Sequence, residues 1–85
     1  MILVELYSKD DCHLCEVAKD TLKKIQIIHA FELCEIKIHE GDKVFEEFKN
    51  RIPVIHINGE FAFQIRITER EFIAKLQSAS LMEKQ

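Results

Sequence analysis

The chain has 85 residues, 47% of them hydrophobic, and carries a formal net charge of −3. This length and apolar content allow one domain with one hydrophobic core and exclude two. The basic residues are scattered, with Lys23-Lys24 as the densest pair, so no electropositive stripe is available to hold phosphates and we expect no nucleic-acid partner.

The first half of the chain has the pattern of a strand, a helix and a second strand. Residues 2–7 are β-prone and mostly apolar, as in a strand that is covered on both faces. After a short polar loop, apolar residues recur at helical spacing and predict a helix from about Cys12 to Ile28. Residues 31–38 have the composition of a second strand. Because a helix joins the two strands, we expect them to be parallel, with a right-handed crossover.

The middle of the chain predicts a short helix followed by a hairpin. Gly41-Asp42 opens an amphipathic helix that ends before Pro53 and turns Val44, Phe45 and Phe48 to one side. Residues 53–57 have the composition of a strand, and Asn58-Gly59 is typical of a two-residue hairpin turn. Residues 61–67 then alternate between apolar and polar, so we expect a second hairpin strand with Phe61 and Phe63 in the core.

The last predicted element is a helix. Thr68 and Glu71 have the spacing of a capping box, which predicts a helix from about Glu69 to Ser78. We expect Phe72, Ile73 and Leu76 to face the core, and we expect a frayed tail after Ser80.

The complete predicted order is β-α-β-α-β-β-α. An α/β fold with a four-stranded mixed sheet flanked by helices buries these apolar faces, and the crossover rule leaves few other arrangements. No linker, repeat or low-complexity stretch interrupts the chain. We therefore expect residues 1–85 to form a single domain, and we expect a monomer.

Cys12 and Cys15 flank His13 and Leu14 at the predicted start of the first helix. On a helix, side chains three residues apart have Cβ atoms roughly 5–6 Å apart, and a disulfide needs about 3.5–4.5 Å. A small adjustment therefore closes the bond. The helix N-terminus favours the thiolate, which is the nucleophile of thiol-disulfide exchange, and a protonated His13 would stabilise the same anion and make the dithiol a better oxidant. The pattern predicts a redox-active disulfide.

The three cysteines also bear on the compartment. An odd number fits a reducing compartment better than a fully paired secreted scaffold. Cys34 alternates with Ile36 and Ile38, so we expect it to be a buried structural thiol. No apolar run approaches the roughly 18–20 residues of a membrane span, and the N-terminus has no basic segment with a cleavage site. We therefore expect a cytoplasmic protein without a membrane partner.

Two separated motifs carry a resemblance to a known family. The first strand ends in Tyr7-Ser8-Lys9 ahead of Cys12-His13-Leu14-Cys15, and the segment Ile52-Pro53-Val54-Ile55-His56-Ile57-Asn58-Gly59 follows later. Together they resemble the glutaredoxins of the thioredoxin superfamily. Over nearly its whole length the chain is similar to the small glutaredoxin-like proteins with a Cys-x-Leu-Cys motif. The resemblance implies a thioredoxin-like fold and the activity of a thiol-disulfide oxidoreductase.

The resemblance also implies roles for individual residues. Cys12 would be the exposed attacking thiol and Cys15 the resolving thiol. Pro53 would be a cis-proline beside them, and the backbone of Ile52 would offer hydrogen bonds to an extended substrate segment. Lys9 matches the lysine that glutaredoxins place near the active thiol and the glutathione carboxylate.

The chain departs from glutathione-using members in two places. After the hairpin, where those members carry a Gly-Gly pair and then an acidic or hydroxyl residue, this sequence has Phe63-Gln64 and then Arg66. The Thr-Val-Pro common in the family is Arg51-Ile52-Pro53 here, and Arg51 offers a cation for a substrate carboxylate. The glutathione site is therefore incomplete. We expect protein or small-molecule disulfides as substrates, no bound cofactor, and either glutathione or a thioredoxin-type dithiol as the reductant.

Two other interpretations of the same residues stay open. In the first, a non-catalytic thioredoxin-fold module docks partners or senses redox state through the same groove. In the second, Cys12, Cys15, Cys34 and His39 supply four zinc ligands by count. A zinc knuckle presents its cysteines from a tight turn, whereas helical spacing follows Cys15 at once, so we expect no bound metal.

Overall fold

A computed structural model describes residues 1–83 of the chain. Within this range, four strands and three helices follow one another in the predicted order. The strands are β1 (Leu3–Ser8), β2 (Glu32–Lys37), β3 (Val54–Ile57) and β4 (Glu60–Gln64), and the helices are α1 (His13–Gln26), α2 (Lys43–Phe48) and α3 (Glu69–Glu83).

The strands form one mixed sheet in the order β2-β1-β3-β4. Strands β1 and β2 are parallel and are joined through α1, whereas β3 runs antiparallel to both β1 and β4. At the hairpin turn, Asn58 and Gly59 both have positive φ angles, 51° and 83°, as a type I′ turn requires. The α/β fold predicted from the sequence is confirmed.

The main core lies on the face of the sheet that α1 and α3 cover. Alternate residues of β1 and β3 point to this face, because successive side chains of a strand point to opposite sides. They pack against the apolar sides of the two helices, and the buried set includes Val4, Leu6, Ala18, Leu22, Ile25, Ile55, Ile57, Phe72 and Leu76. The inward positions predicted for α3 are confirmed at Phe72 and Leu76, and Ile73 packs against the core at partial burial.

A second, smaller cluster lies on the opposite face, under α2. Its buried members are Cys15, Ile38, Phe48, Ile52 and Val54, with Tyr7, Cys12, Val44 and Phe45 packed against them. Helix α2 has only six residues. It therefore covers only one end of the sheet, the end nearest to the two cysteines. Within residues 1–83, no helix covers the remainder of this face, which we call the open face.

The short length of α2 explains why the prediction for Cys34 is wrong. Cys34 pairs with Glu5 across the parallel strands β1 and β2, which places it on the α2 side of the sheet. It lies beyond the area that α2 covers, on an edge strand, and its thiol is exposed and free. The sequence alternation identified the strand correctly but not the layer above it.

The second hairpin strand also differs from its prediction. It ends at Gln64 rather than near Ile67, because Ile65 has a φ of 68° and leaves the extended conformation. Phe61 is 50% exposed rather than buried. A register shift leaves Phe63 opposite Ile55 on the core face and Phe61 opposite His56 on the open face. A bulge of this kind adds one residue to a strand and reverses the alternation beyond it.

Two helix ends lie away from the predicted positions. Helix α1 stops at Gln26 rather than near Ile28, and Ile28 is 81% exposed. Helix α3 continues to Glu83, so the frayed tail predicted after Ser80 is wrong for residues 81–83, whereas residues 84–85 lie outside the described range. The side chain of Asn58 donates to Glu83 Oε2 at 3.2 Å, which ties the last turn of α3 to the hairpin.

None of the helices in residues 1–83 combines the length and the apolar character needed to cross a lipid bilayer.

Candidate functional site

The sulfur of Cys12 caps the N-terminus of α1. Cys12 has extended backbone angles, φ −115° and ψ 102°, and its Sγ accepts a hydrogen bond from the backbone N–H of Cys15 at 3.2 Å. The first N–H groups of a helix have no partner within the helix, and one of them is satisfied here by sulfur. When the sulfur is a thiolate, the same N–H and the helix dipole stabilise its negative charge.

Cys12 and Cys15 are joined by a disulfide, with their Cα atoms 5.2 Å apart. The two cysteines differ in burial, because Cys15 is only 2% exposed whereas Cys12 is half-buried. A sulfur that an incoming disulfide can reach suits the attacking role, and a buried sulfur three residues away suits the resolving role. Cys12 is therefore half-buried rather than exposed, and the attacking and resolving roles stay a prediction.

The cis-proline segment lies next to the disulfide. The Ile52–Pro53 peptide bond is cis, as the resemblance implied. Ile52 and Cys15 are buried in the same cluster, and Cys12 packs against that cluster. The N–H of Ile65 donates to the carbonyl of Pro53 at 2.8 Å and to the carbonyl of Arg51 at 3.2 Å, which fixes the loop after β4 against this segment.

The side chain of Arg51 lies over the open face of the sheet. Its guanidinium carbon is 5.3 Å from the ring centre of Phe48 and 5.6 Å from that of Phe61, and its Nε donates to Gln64 Oε1 at 2.9 Å. These cation–π contacts and the hydrogen bond hold the side chain in place. The side chain of Arg51 therefore contacts the last residue of α2 and two residues of β4, whereas its backbone directly precedes Ile52 in the chain.

Two basic residues lie close to Cys12 along the chain. Lys9 and His13 are both exposed, and neither forms an ion pair with an acidic side chain in residues 1–83. The acidic neighbour Asp10 is paired with Lys37, with Nζ to Oδ1 at 3.3 Å. Part of the negative charge next to the disulfide is thus matched by a lysine of β2.

A polar network beside β1 was missed by the sequence reasoning. Ser8 is 1% exposed, its hydroxyl donates to Glu35 Oε2 at 3.0 Å, and Lys19 Nζ contacts Glu35 Oε1 at 3.1 Å. Burial alone would raise the pKa of Glu35, but the hydrogen bonds from Lys19 and Ser8 and the charges of Lys19 and Lys37 outweigh it and lower that pKa. The hydrogen bond and charge of Glu35 raise the pKa of Lys19. The sequence did contain a signal for this network. Ser8 follows Val4 and Leu6 in the alternation of β1, so its hydroxyl faces the core and needs a hydrogen-bond partner there.

The residues proposed as zinc ligands by count are not gathered into one place. Cys12 and Cys15 are joined to each other, Cys34 is exposed on the open face of the sheet, and His39 is exposed after β2. Within residues 1–83, no group of three or more His, Cys, Asp or Glu side chains is arranged to hold a metal ion.

Comparisons with known proteins agree with this architecture. A family model described as Glutaredoxin-like domain (DUF836) matches residues 3–77. The X-ray structure of a Northeast Structural Genomics target protein from X. campestris superimposes with a TM-score of 0.76 at 23% identity, covering 88% of this chain and 96% of that one. A malarial protein gives a TM-score of 0.63 at 15% identity, covering 92% of this chain and 96% of its own. Thioredoxin-2, described as a component of the malaria parasite protein secretion machinery, gives 0.63 at 14%, covering 92% and 82%. At these identities the structural matches show a shared thioredoxin-like fold.

Proposed function

Because the chain belongs to the glutaredoxin-like domain (DUF836) family, we propose that it is a thiol-disulfide oxidoreductase that acts on protein or small-molecule disulfides through Cys12 and Cys15. The observation that carries the proposal is the asymmetry of the pair. Cys12 is half-buried and caps α1, whereas Cys15 is buried beside Ile52. The less buried sulfur accepts a hydrogen bond that would stabilise its thiolate after reduction, and the other is held within bonding reach.

The first step forms a mixed disulfide. The thiolate of reduced Cys12 attacks one sulfur of the substrate disulfide, a bond forms between them, and the second substrate sulfur leaves as a thiolate that takes up a proton. The exposed Lys9, and the protonated form of His13, favour the anionic form of Cys12 before the attack. The backbone of Ile52 pairs with the extended substrate segment and holds its sulfur in line.

The second step releases the product. Cys15 loses its proton, and its thiolate attacks the sulfur of Cys12. The bond between Cys12 and the substrate breaks, the substrate sulfur that Cys12 had attacked leaves and takes up a proton, and the Cys12–Cys15 bond forms. The substrate disulfide has then gained two electrons and the protein has lost two. Another dithiol, or two molecules of glutathione, resets the enzyme by the reverse exchange. The odd number of cysteines supports a reducing compartment such as the cytoplasm.

Single cysteine variants test the two steps separately. We expect Cys12→Ser to abolish exchange with a disulfide substrate, and we expect Cys15→Ser to accumulate a covalent adduct that mass spectrometry detects. Cys34→Ser is the matched control, because its thiol is exposed but lies on the open face of the sheet, and it should exchange at the wild-type rate. Turnover that persists in Cys12→Ser would contradict the proposed oxidoreductase function. A wild-type dithiol that reacts with no disulfide in a glutathione redox buffer would indicate the non-catalytic module instead.

A further inference from the structure

An aliphatic groove opens between the first turns of α1 and the loop that follows β4. One wall is the start of α1 and the other is the loop between β4 and α3, and the groove encloses about 210 Å³. We call it the aliphatic groove, and its lining residues are Leu14, Val17, Ala18, Ile65, Arg66, Ile67 and Thr68. Val17 is 47% exposed and Ile65 is 38% exposed, so branched apolar side chains face solvent here.

The groove is continuous with the proposed site of exchange. On one wall, Leu14 immediately precedes Cys15 in the chain, and consecutive Cα atoms are about 3.8 Å apart. On the other wall, the N–H of Ile65 donates to the carbonyl of Pro53. We expect a substrate segment that pairs along Ile52, with its sulfur at Cys12, to pass the mouth of the groove. The side chain next to the substrate half-cystine is the part that can enter it.

Ile65 adopts a backbone conformation that its side chain disfavours. Its φ of 68° lies in the left-handed region, where a β-branched residue is an outlier and glycine is unstrained. Two hydrogen bonds from its N–H, to the carbonyls of Arg51 and Pro53, hold it there. Strained residues that their surroundings fix in this way cluster at functional sites. The side chain of this strained residue forms part of the apolar lining of the groove.

The charge at the rim of the groove is positive. None of the lining residues is acidic, and Arg66 is exposed and forms no ion pair with the side chains described in residues 1–83. A guanidinium group binds carboxylates through directed hydrogen bonds. The aliphatic walls and the cationic rim together fit a ligand that carries a large apolar side chain and a nearby negative charge.

We propose that the aliphatic groove selects polypeptide disulfides in which a large aliphatic residue adjoins the half-cystine attacked by Cys12, with an acidic residue close by. This inference rests on the proposed oxidoreductase function and names its substrate class. Glutathione has carboxylates but no aliphatic side chain, so the groove discriminates against it. Selection by a hydrophobic pocket is worth roughly 10- to 200-fold in kcat/KM when the pocket is well formed, and we expect about tenfold for this open groove.

The test measures exchange rates of the reduced protein with matched disulfide-linked peptides. One peptide has Leu and the other Ser next to the cysteine, with the pair made for each flank, and hydroxyethyl disulfide serves as a substrate without flanking residues. We expect the wild type to favour the Leu peptide about tenfold on one flank. Val17→Ser and Ile65→Gly should each reduce the Leu-to-Ser ratio to within about twofold. The ratio within each variant cancels any change in the reactivity of the dithiol itself.

A control and a charge series complete the test. Ile28→Ser removes an exposed isoleucine outside the groove and should keep the wild-type ratio. Arg66→Gln should slow exchange with a Leu peptide that carries Glu about two- to fivefold, as expected for an exposed ion pair, and added salt should erase this difference. If Ile65→Gly does not fold, Val17→Ser decides alone, because its side chain lies on the helix surface.

The outcomes separate this inference from the proposed function. Equal rates for Leu and Ser peptides, with normal exchange of hydroxyethyl disulfide, would overturn the inference and leave the oxidoreductase standing. Faster exchange with oxidised glutathione than with the Leu peptide would also overturn it. Failure to exchange with any of these disulfides would overturn both.

Discussion

The hydroxyl of Ser8 shows how one polar atom can be held in an apolar core. It is buried at the end of β1 and donates to Glu35, whose second oxygen contacts Lys19 of α1. A buried hydroxyl without a partner costs about 1–3 kcal/mol, whereas the ion pair itself, being partly exposed, contributes at most about 1 kcal/mol. Satisfying Ser8 is therefore the larger of the two effects at Glu35.

This difference predicts distinct results for two substitutions. Glu35→Gln keeps an oxygen that accepts from Ser8, so the free energy of unfolding should fall by less than about 1 kcal/mol. Glu35→Ala leaves the hydroxyl unpaired, so it should cost about 1–3 kcal/mol more. Glu69→Gln, which breaks the exposed pair with Lys24, is the control and should change little. Urea unfolding at neutral pH measures all three. Equal effects of the two Glu35 variants would show that Ser8 does not depend on that carboxylate.

The lowered pKa of Glu35 gives the pH dependence of its contribution. A carboxyl whose pKa is lower in the folded state stabilises fully above its unfolded value, ordinarily 4.5, and loses the contribution as the pH falls through the folded value. The difference in free energy of unfolding between the wild type and Glu35→Gln should therefore be constant near neutral pH and shrink below about pH 4.5. A difference that grows on acidification would contradict the assignment.

At the scale of elements, two helices begin with caps of different chemistry. The sulfur of Cys12 accepts from the first turn of α1, and the hydroxyl of Thr68 accepts from the N–H of Glu71 in α3 at 3.2 Å. The hydroxyl of Thr68 also donates to Glu71 Oε1 at 3.1 Å. The first cap joins helix stability to the reactive sulfur, whereas the second stabilises only its helix. Thr68 also lines the aliphatic groove, but its substitution leaves the cap formed by Cys12 unchanged.

We expect Thr68→Ala to lower the free energy of unfolding by about 1 kcal/mol, because it removes the acceptor at the start of α3. Thr21→Ala is the matched control. Its hydroxyl bonds back to the carbonyl of Val17 within α1, and alanine is the better helix former in a helix interior. That variant should be neutral or slightly stabilising. Thermal unfolding followed by circular dichroism distinguishes the two, and a loss of similar size in both would refute the cap.

At the scale of the molecule, the sheet separates two apolar clusters of unequal size, and the disulfide lies where α1 meets both. Cys15 belongs to the smaller cluster under α2, whereas Ala18 and Leu22, on the following turns, belong to the main core. The first turn of α1 is thus fixed on one side by the cis-proline segment and on the other by the core. These two contacts hold the cysteines in place, although α2 covers only part of its side of the sheet.

The main core should carry most of the stability. Leu22 is fully buried, and Leu22→Ala should cost about 2–5 kcal/mol, a large share of the roughly 5–15 kcal/mol typical of a domain. Ile28→Ala, at an exposed position, should change the free energy of unfolding by no more than about 0.5 kcal/mol. Denaturant midpoints with an unchanged m-value would measure both. A cost at Leu22 no greater than at Ile28 would contradict the assignment of this core.

The sequence by itself determined the order of the elements, the paired cysteines at a helix start and the turn at Asn58-Gly59. These features follow from periodicity and turn chemistry within a few neighbouring residues. Thr68 and Glu71 were identified for the same reason.

Only the tertiary structure decided what lies over each surface. The exposure of Cys34 depends on how far α2 reaches, and the exposure of Phe61 depends on a bulge set by pairing with β3. The conformation of Ile65 depends on carbonyls of Arg51 and Pro53, more than ten residues away in the chain. Local pattern fixes which side chains alternate, but burial and strain arise from partners that are distant in sequence, so no window of neighbouring residues contains them.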